Sequence, residues 1–170
     1  NVPKINKVIV VDSKKYINPI AELIAPIIQS LAQNYSHIIS PASTFGKNVM
    51  PRIAALLDIS QVSDVIKIEN ENTFVRPIYA GNAIATVESS EKIKIITIRP
   101  TSFEAAMTEG GKAEIEKLDF NIENNSVEFI ERKETKSDRP ELGSARVVIS
   151  GGRGLGSAEN FSLLNEIADK

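Results

Sequence analysis

The sequence of 170 residues contains no cysteine and only one histidine. The lack of cysteine excludes disulfide bonds, cysteine-ligated zinc and a thiol nucleophile. His37 has no second histidine with which to share a metal, and its neighbours on a predicted strand are apolar. We therefore expect His37 to be a core or strand-end residue rather than a ligand or a general base.

Long apolar runs and an excess of charge of one sign are also lacking. No run approaches the roughly 18 to 20 apolar residues that a membrane-spanning helix needs. The 20 basic and 22 acidic side chains are interspersed, which argues against a nucleic-acid-binding protein. Asp12, Asp58 and Asp64 each stand at a predicted strand or helix end, where capping and solvation explain them, so we predict no acid/base pair.

Both ends of the chain are abrupt. The first residue is Asn1 rather than methionine, and the last predicted helix ends at Lys170 with nothing after it to pack under. We interpret both ends as cuts within a longer protein. The absence of a leader sequence therefore carries no weight.

Two pairs of strand and helix open the chain. Residues 8–11 are a continuous β-branched run, typical of a strand buried on both faces of a parallel sheet. Asn18 and Pro19 predict the start of a helix, which Pro26 either kinks or delays. A second strand at 37–40 and a helix from about 47 to 57 follow. This alternation predicts parallel strands joined by right-handed crossovers.

From residue 63 onward the pattern changes to strands without helices. Strand-like runs occur at 64–68, 73–76, 83–87 and 93–98, with Gly81 among the turn signals between them. Close spacing of this kind predicts antiparallel hairpins. The expected fold class is therefore α/β, with a partly parallel sheet, flanking helices and antiparallel hairpins that finish the sheet.

The rest of the chain predicts a boundary between domains. Residues 101–116 are low in apolar side chains and indicate an exposed loop. Residues 127–130 predict one further strand, and residues 131–141 have the charge expected of a linker. A new strand at 146–149, a glycine-rich turn at 150–156 and a helix from Ser157 come next. We thus expect an N-terminal domain at 1–130, a linker at 131–144 and the start of a second domain at 145–170.

The glycine-rich turn has residues suited to an anionic ligand. Glycines allow backbone amides to approach a ligand, the following helix adds partial positive charge, and Arg153 supplies a planar guanidinium. The glycine spacing fits neither the dinucleotide fingerprint nor the P-loop. From these residues alone, a ligand site and an ordinary tight turn are equal alternatives.

A second candidate cradle for a phosphate precedes the helix at 47–57. It consists of Ser43 and Thr44 with Gly46 and Lys47. Helix N-termini bind anions, but an ordinary capped helix explains the same residues and is the stronger interpretation.

The segment VVISGGRGL at 147–155, with Glu159, Asn160, Phe161 and Leu164, resembles the opening of the FAD-binding domain in the α subunit of electron-transfer flavoprotein. Five further segments resemble that family in the same order: YSHI at 35–38, KNVMPR at 47–52, DV at 64–65, RPIYAGNA at 76–83 and SDRPEL at 137–142. The similarity extends from residue 8 to residue 169. So many separate matches in order are more specific than any single glycine loop.

The resemblance implies a Rossmann-like first domain that lacks its opening strand and helix, followed by the truncated start of the FAD-binding domain. It places an FAD contact at Arg153 and implies no catalytic residue and no metal. FAD would be bound by the complete complex of α and β subunits, and this fragment alone would not hold it. Residues 76–82, which belong to one of these matching segments, have no chemical role that we can assign.

The function implied is that of an electron carrier without substrate turnover of its own. Its partners would be the β subunit, acyl-CoA and related flavoprotein dehydrogenases, and a membrane quinone oxidoreductase, in fatty acid β-oxidation. No nucleic acid and no direct membrane insertion are expected, and the location would be a bacterial cytoplasm or the mitochondrial matrix. The alternative is a small α/β nucleotide-binding or assembly module without flavin.

Overall fold

The computed structural model describes residues 2–123, 126–133, 139–140, 142 and 145–170. The chain divides into two compact units, Asn1–Ile130 and Glu131–Lys170.

The described residues of the first unit form a mixed α/β structure with three small sheets. Its helices are α1 (Ala21–Leu31) and α2 (Thr44–Leu57). Its strands are β1 (Lys7–Val10), β2 (His37–Pro41), β3 (Gln61–Val65), β4 (Lys67–Ile68), β5 (Thr73–Ile78), β6 (Ala83–Glu88), β7 (Lys94–Ile98) and β8 (Glu114–Lys117). The order β2-β7-β3 is parallel, β4-β5-β6 is antiparallel, and β1 pairs with β8 in parallel. The predicted fold class is confirmed.

Strand β7 forms the centre of the parallel sheet and contributes to both hydrophobic clusters. Ile95 packs among the buried side chains of α1 and α2. Ile96 points to the opposite face, as successive strand residues do, and packs with Val65 and Phe74. All four of these side chains are fully buried. The prediction that residues 93–98 belong to an antiparallel hairpin is therefore wrong, because β7 pairs in parallel on both sides.

The two helices begin at positions different from those predicted. Helix α1 begins after Ile20, whose extended backbone forms the N-cap, so Asn18 and Pro19 lie outside it. It continues through Pro26 although that residue has no amide hydrogen to donate. Helix α2 begins three residues earlier than predicted, since the side chain of Ser43 accepts a hydrogen bond from the amide of Gly46.

The run predicted as one strand at 64–68 is divided between two sheets. Its first part belongs to β3 and pairs with β7, whereas β4 pairs with β5. The register of β3 shifts between Val62 and Val65, and Asp64 there adopts a left-handed φ of 57°. A bulge of this kind bends a strand, which explains how the chain leaves the parallel sheet for the hairpins. The hairpins form a separate sheet and do not finish the parallel one.

Strands β1 and β8 correct two predictions. Val8 is 42% exposed, so the expectation of a strand buried on both faces is wrong. Residues 114–117, the first three of which were predicted as the end of a loop, form its parallel partner. The tertiary pairing here overrides a sequence of mostly charged residues, and it is reinforced by an ion pair of 2.7 Å between Lys7 and Glu116. The hydrogen bond and the charge of Glu116 raise the pKa of Lys7.

Two short strands predicted late in the chain are absent from the described residues. Residues 127–130 and 146–149 pair with no strand there. Both runs are apolar enough for a strand, but a strand needs a partner for its backbone groups. Val147 is accordingly 74% exposed.

The described part of the second unit contains short helical elements. Two 3-10 turns, Arg153–Leu155 and Glu159–Phe161, precede α3 (Ser162–Ala168). The predicted helix start at Ser157 is wrong by five residues. Of the predicted linker, residues 134–138, 141, 143 and 144 lie outside the described part of the chain. Among the described residues, no helix has the length and apolar character required to cross a membrane.

The double burial of β7 predicts a large loss of stability on truncation. Ile96→Ala removes a fully buried side chain and should lower the free energy of unfolding by about 2–5 kcal/mol. Ile84→Ala, at a strand position that is 59% exposed, should change it by less than about 1 kcal/mol. Urea unfolding of both variants checks this expectation, and equal midpoints would contradict the central place of β7.

Candidate functional site

The glycine-rich turn is held by backbone hydrogen bonds and one side chain. The amide of Leu155 donates to the carbonyl of Gly152 at 3.0 Å, and that of Gly156 donates to the carbonyl of Arg153 at 3.1 Å. Gly156 has a φ of 78°, which disfavours other residues. Nδ2 of Asn160 donates to the carbonyl of Leu155 at 2.5 Å. Asn160 therefore closes the turn, and no helix N-cap lies at Ser157.

The other glycines of the turn differ in what surrounds them. A Cβ on Gly151 would lie 2.5 Å from Leu155 Cδ1 and 2.7 Å from Leu164 Cδ1, so both leucine side chains would have to shift to admit it. A Cβ on Gly152 or Gly154 would meet no atom within 4 Å. Packing among the described residues does not require glycine at those two positions, and their open sides leave room for a ligand.

Hydrogen-bond donors without acceptors line the open side of the turn. The amides of Gly152, Arg153 and Gly154 have no acceptor within the described ranges of the chain. The guanidinium of Arg153 has neither a hydrogen bond nor an ion pair to any described residue. A cavity of about 420 Å³ is lined by Gly152, Arg153, Gly156, Ser157, Ala158 and Phe161. Free amides together with a guanidinium suit an anionic group such as a phosphate.

The expected contribution of a helix dipole to this turn is corrected by the structure. Helix α3 begins only at Ser162 and has seven residues. Its first turn therefore does not follow the glycines directly. Any affinity of the turn for an anion comes from the amides and from Arg153.

Arg139 connects the segment before the turn to α3. Its Nη1 donates to Oδ1 of Asn165 at 2.8 Å, and its Nη2 donates to Oδ1 of Asp169 at 2.6 Å. This gives a structural role to one residue of the segment at 137–142 that the resemblance includes. Residues 137, 138 and 141 of that segment lie outside the described part of the chain.

His37 stands at the first position of β2 and is held by local contacts. Its Nε2 donates to the carbonyl of Glu71 at 2.7 Å, and Nδ1 lies 2.9 Å from Oγ of Ser36. The ring meets Phe74 edge-on, with 6.5 Å between the ring centroids. These contacts agree with the expected strand-end residue. Among the described residues, no group of three or more histidines, cysteines or carboxylates is arranged to hold a metal ion.

The three aspartates discussed from the sequence each have their own local setting in the structure. Asp58 terminates α2 in a left-handed conformation. Asp64 accepts from Nε and Nη2 of Arg99 at 3.2 and 2.5 Å, a bidentate ion pair. The hydrogen bond and the charge of Asp64 raise the pKa of Arg99. Asp12 follows β1 without such a partner among the described residues.

The second candidate cradle, before α2, is an ordinary capped helix. Oγ of Ser43 accepts from the amide of Gly46 at 3.2 Å. A Cβ on Gly46 would lie 2.0 Å from the carbonyl oxygen of Pro41 and 2.8 Å from Oγ of Ser40. The glycine is therefore required where α2 passes close to the end of β2, and its presence needs no ligand.

Sequence reasoning found no role for residues 76–82, where the structure shows a charged pocket. Nη2 of Arg76 donates to Oγ of Ser63 at 2.9 Å, and a left-handed turn follows β5. The only signal in the sequence was the turn glycine, Gly81. The pairing of Arg76 with a strand 13 residues earlier was not visible from the sequence.

Comparisons with known proteins give a consistent result for this chain. The family model described as "Electron transfer flavoprotein domain" matches residues 3–123. The electron transfer flavoprotein subunit alpha of Pseudomonas aeruginosa is 47% identical over 166 residues, which cover 98% of this chain and 54% of that relative. The protein of the same name from Paracoccus denitrificans is 49% identical over 164 residues, or 96% of this chain and 53% of the relative.

A mitochondrial relative gives a similar comparison. The electron transfer flavoprotein subunit alpha, mitochondrial, of Arabidopsis thaliana is 44% identical over 179 residues, covering 99% of this chain and 49% of that relative. The chain thus spans about half the length of the curated relatives it matches.

Gly46→Ala tests the explanation of the second cradle by packing. Alanine favours a helix over glycine by about 1 kcal/mol, but the Cβ meets a backbone oxygen that moves only with β2. We expect a net loss of about 1–3 kcal/mol in the free energy of unfolding. Gly154→Ala is the matched control, and it should change the value by no more than about 0.5 kcal/mol. Thermal or urea unfolding that ranks the two variants in the opposite order would contradict this explanation.

Proposed function

The chain belongs to the electron transfer flavoprotein domain family, and on this premise we propose that it is part of the α subunit of an electron carrier that holds FAD. The proposal is supported by relatives named as α subunits that align with nearly all of the chain. Because the chain spans about half of those relatives, the activity is proposed for the complete protein.

The observation that carries the proposed FAD contact is the set of donors without acceptors at the glycine-rich turn. The amides of Gly152, Arg153 and Gly154 and the guanidinium of Arg153 have no acceptor in the described part of the second unit. FAD carries a pyrophosphate and a ring that gains negative charge on reduction, and both need such donors. The residues present therefore fit this cofactor.

Arg153 would bind and orient the cofactor in this proposal, since its fork of donors matches oxyanions. The amides would add donors that do not have to move when charge develops. Bound FAD supplies the electron-transfer chemistry, and the protein determines its orientation and its potential. This chain contributes no catalytic residue, and the proposed carrier has no substrate turnover of its own.

The wider role that we propose takes its partners from the family. We infer that a β subunit completes the FAD site, because the turn is exposed and presents only one cationic side chain, that of Arg153. Flavoprotein dehydrogenases such as those for acyl-CoA would donate electrons, and a membrane quinone oxidoreductase would receive them, in fatty acid β-oxidation. A bacterial cytoplasm or a mitochondrial matrix suits the bacterial and mitochondrial relatives.

The proposed domain organisation is an N-terminal domain at 1–130, a linker at 131–144 and the start of the FAD-binding domain at 145–170. The separation into two compact units at residue 130 supports the first boundary. An assembly role for the first unit is compatible with this function. The alternative of a nucleotide-binding module has no such support, because Ser43 and Gly46 are engaged in capping and packing.

Flavin content tests the proposed function directly. The full-length protein, coexpressed with its β subunit, should purify as a yellow heterodimer with flavin absorbance. The measurement is the ratio of flavin to protein. A stable heterodimer without flavin would contradict the electron-carrier proposal.

Arg153→Ala tests the proposed contact in that heterodimer. The loss of a charged donor should weaken FAD retention by roughly tenfold or shift the reduction potential of the flavin. Arg153→Lys keeps the charge but loses the fork, so an intermediate effect is expected. Arg52→Ala, on α2 of the first unit, is the control and should behave as the wild type. Unchanged retention and potential in Arg153→Ala would reject the contact.

A further inference from the structure

A pocket lies where strands β3, β5 and β7 approach their ends in the first unit. Its volume is about 490 Å³. Asp64 of β3, Arg76 of β5 and Arg99, the residue after β7, supply its charged groups. The remaining lining comes from residues 77–81, at the end of β5 and in the turn after it. None of these residues belongs to the proposed FAD contact.

The charges in this pocket do not balance. The carboxylate of Asp64 is engaged by Arg99 through two hydrogen bonds. Arg76 has no carboxylate partner among the described residues, and its Nη2 donates only to the neutral hydroxyl of Ser63. Its Nε is buried and has no acceptor. A buried donor without a partner is costly, so this side chain is incompletely satisfied as the first unit stands.

Backbone strain is concentrated around the same pocket. Five non-glycine residues in the described part of the chain have a positive φ: Lys4, Asp58, Asp64, Tyr79 and Ala80. Three of them, Asp64, Tyr79 and Ala80, line this pocket. Each such conformation costs free energy, and residues of this kind cluster at binding sites where the surrounding structure holds them.

Large apolar side chains are exposed beside the charged groups. The side chain of Tyr79 is 79% exposed, although its ring has a large apolar surface. Ile84, also exposed, lies directly opposite Pro77 in the register of β5 and β6. Tyrosine and arginine are enriched at the centres of protein interfaces, where an apolar contact excludes water from a charged one. This combination fits a protein partner better than a small free anion.

We propose that the pocket of Arg76 and the turn of Tyr79 form a docking surface for the second subunit, which places a carboxylate against Arg76. The occupant is identified by charge complementarity, since Arg76 is the arginine of the pocket that has no carboxylate partner in the described part of the chain. A carboxylate there would neutralise the positive charge of Arg76, as the carboxylate of Asp64 neutralises that of Arg99. This inference rests on the proposed function, because it takes the second subunit from it.

The test measures affinity between the full-length protein and its β subunit. Arg76→Gln removes the charge, and Tyr79→Ala removes the exposed ring without touching the core. Each should raise the dissociation constant by about tenfold or more, measured by titration with a fluorescently labelled β subunit. Arg76→Gln should also reduce the dependence of the dissociation constant on salt. Circular dichroism confirms that each variant is folded.

Two matched controls lie elsewhere on the first unit. Arg52→Gln removes an exposed arginine that pairs with Glu22 at 3.3 Å. Met107→Ala removes an exposed apolar side chain from a loop. Both should retain the wild-type affinity within about twofold.

The possible failures are distinguishable. If Arg76→Gln and Tyr79→Ala bind like the controls in a flavin-containing heterodimer, this docking surface is contradicted and the proposed function stands. An effect limited to self-association of the α chain would assign the surface to a second copy and would also contradict the proposal. If the wild-type heterodimer neither forms nor holds flavin, the proposed function fails, and this inference fails with it.

Discussion

Strand β7 is buried on both faces, and the packing of the first unit depends on that burial. Ile95 contacts the helices, whereas Ile96 contacts Phe74 from the antiparallel sheet. Burial of each isoleucine stabilises the folded state by about 1.5–3 kcal/mol. Two successive residues of one strand thus join the helical layer to the hairpins. Thr97 continues the strand, and its buried hydroxyl accepts a hydrogen bond of 2.9 Å from the amide of Asp64. The same strand that unites the core thus also fixes the bulge in β3.

This bulge determines where the charged pocket lies. Because Asp64 turns away from the ladder with a left-handed φ, its carboxylate meets Arg99 immediately after β7. The chain then enters β4 and β5, which brings Arg76 next to Ser63. The arrangement of charges is therefore a consequence of one run of the chain, residues 64–68, that is divided between two sheets. Few residue types suit position 64, because asparagine, aspartate and glycine tolerate the left-handed region best.

The elements that were predicted correctly from the sequence are those whose signals are local. Strand β2, helix α2 and the hairpin of β5 and β6 follow from apolar spacing and turn residues within each segment. Pairing partners could not be predicted in the same way. Residues 93–98 were assigned to a hairpin by proximity along the chain, although their continuous apolar character is typical of a buried parallel strand. Residues 114–117 form β8 only because β1 offers backbone groups to pair with, and 146–149 meet no such partner among the described residues.

At the glycine-rich turn, the sequence indicated the residue types but not their arrangement, since Asn160 closes the turn and α3 begins after it. The free energies of its hydrogen bonds explain why such a turn needs a larger site around it. Three amides and the guanidinium of Arg153 all donate to an anion, and at roughly 2 kcal/mol per hydrogen bond to a charged group they contribute about 8 kcal/mol together. Association itself costs at least about 4 kcal/mol, which leaves about 4 kcal/mol, the binding free energy of a millimolar dissociation constant. The turn can therefore orient a bound cofactor as proposed, but its retention depends on enclosure of the apolar ring by surfaces that the described residues do not provide.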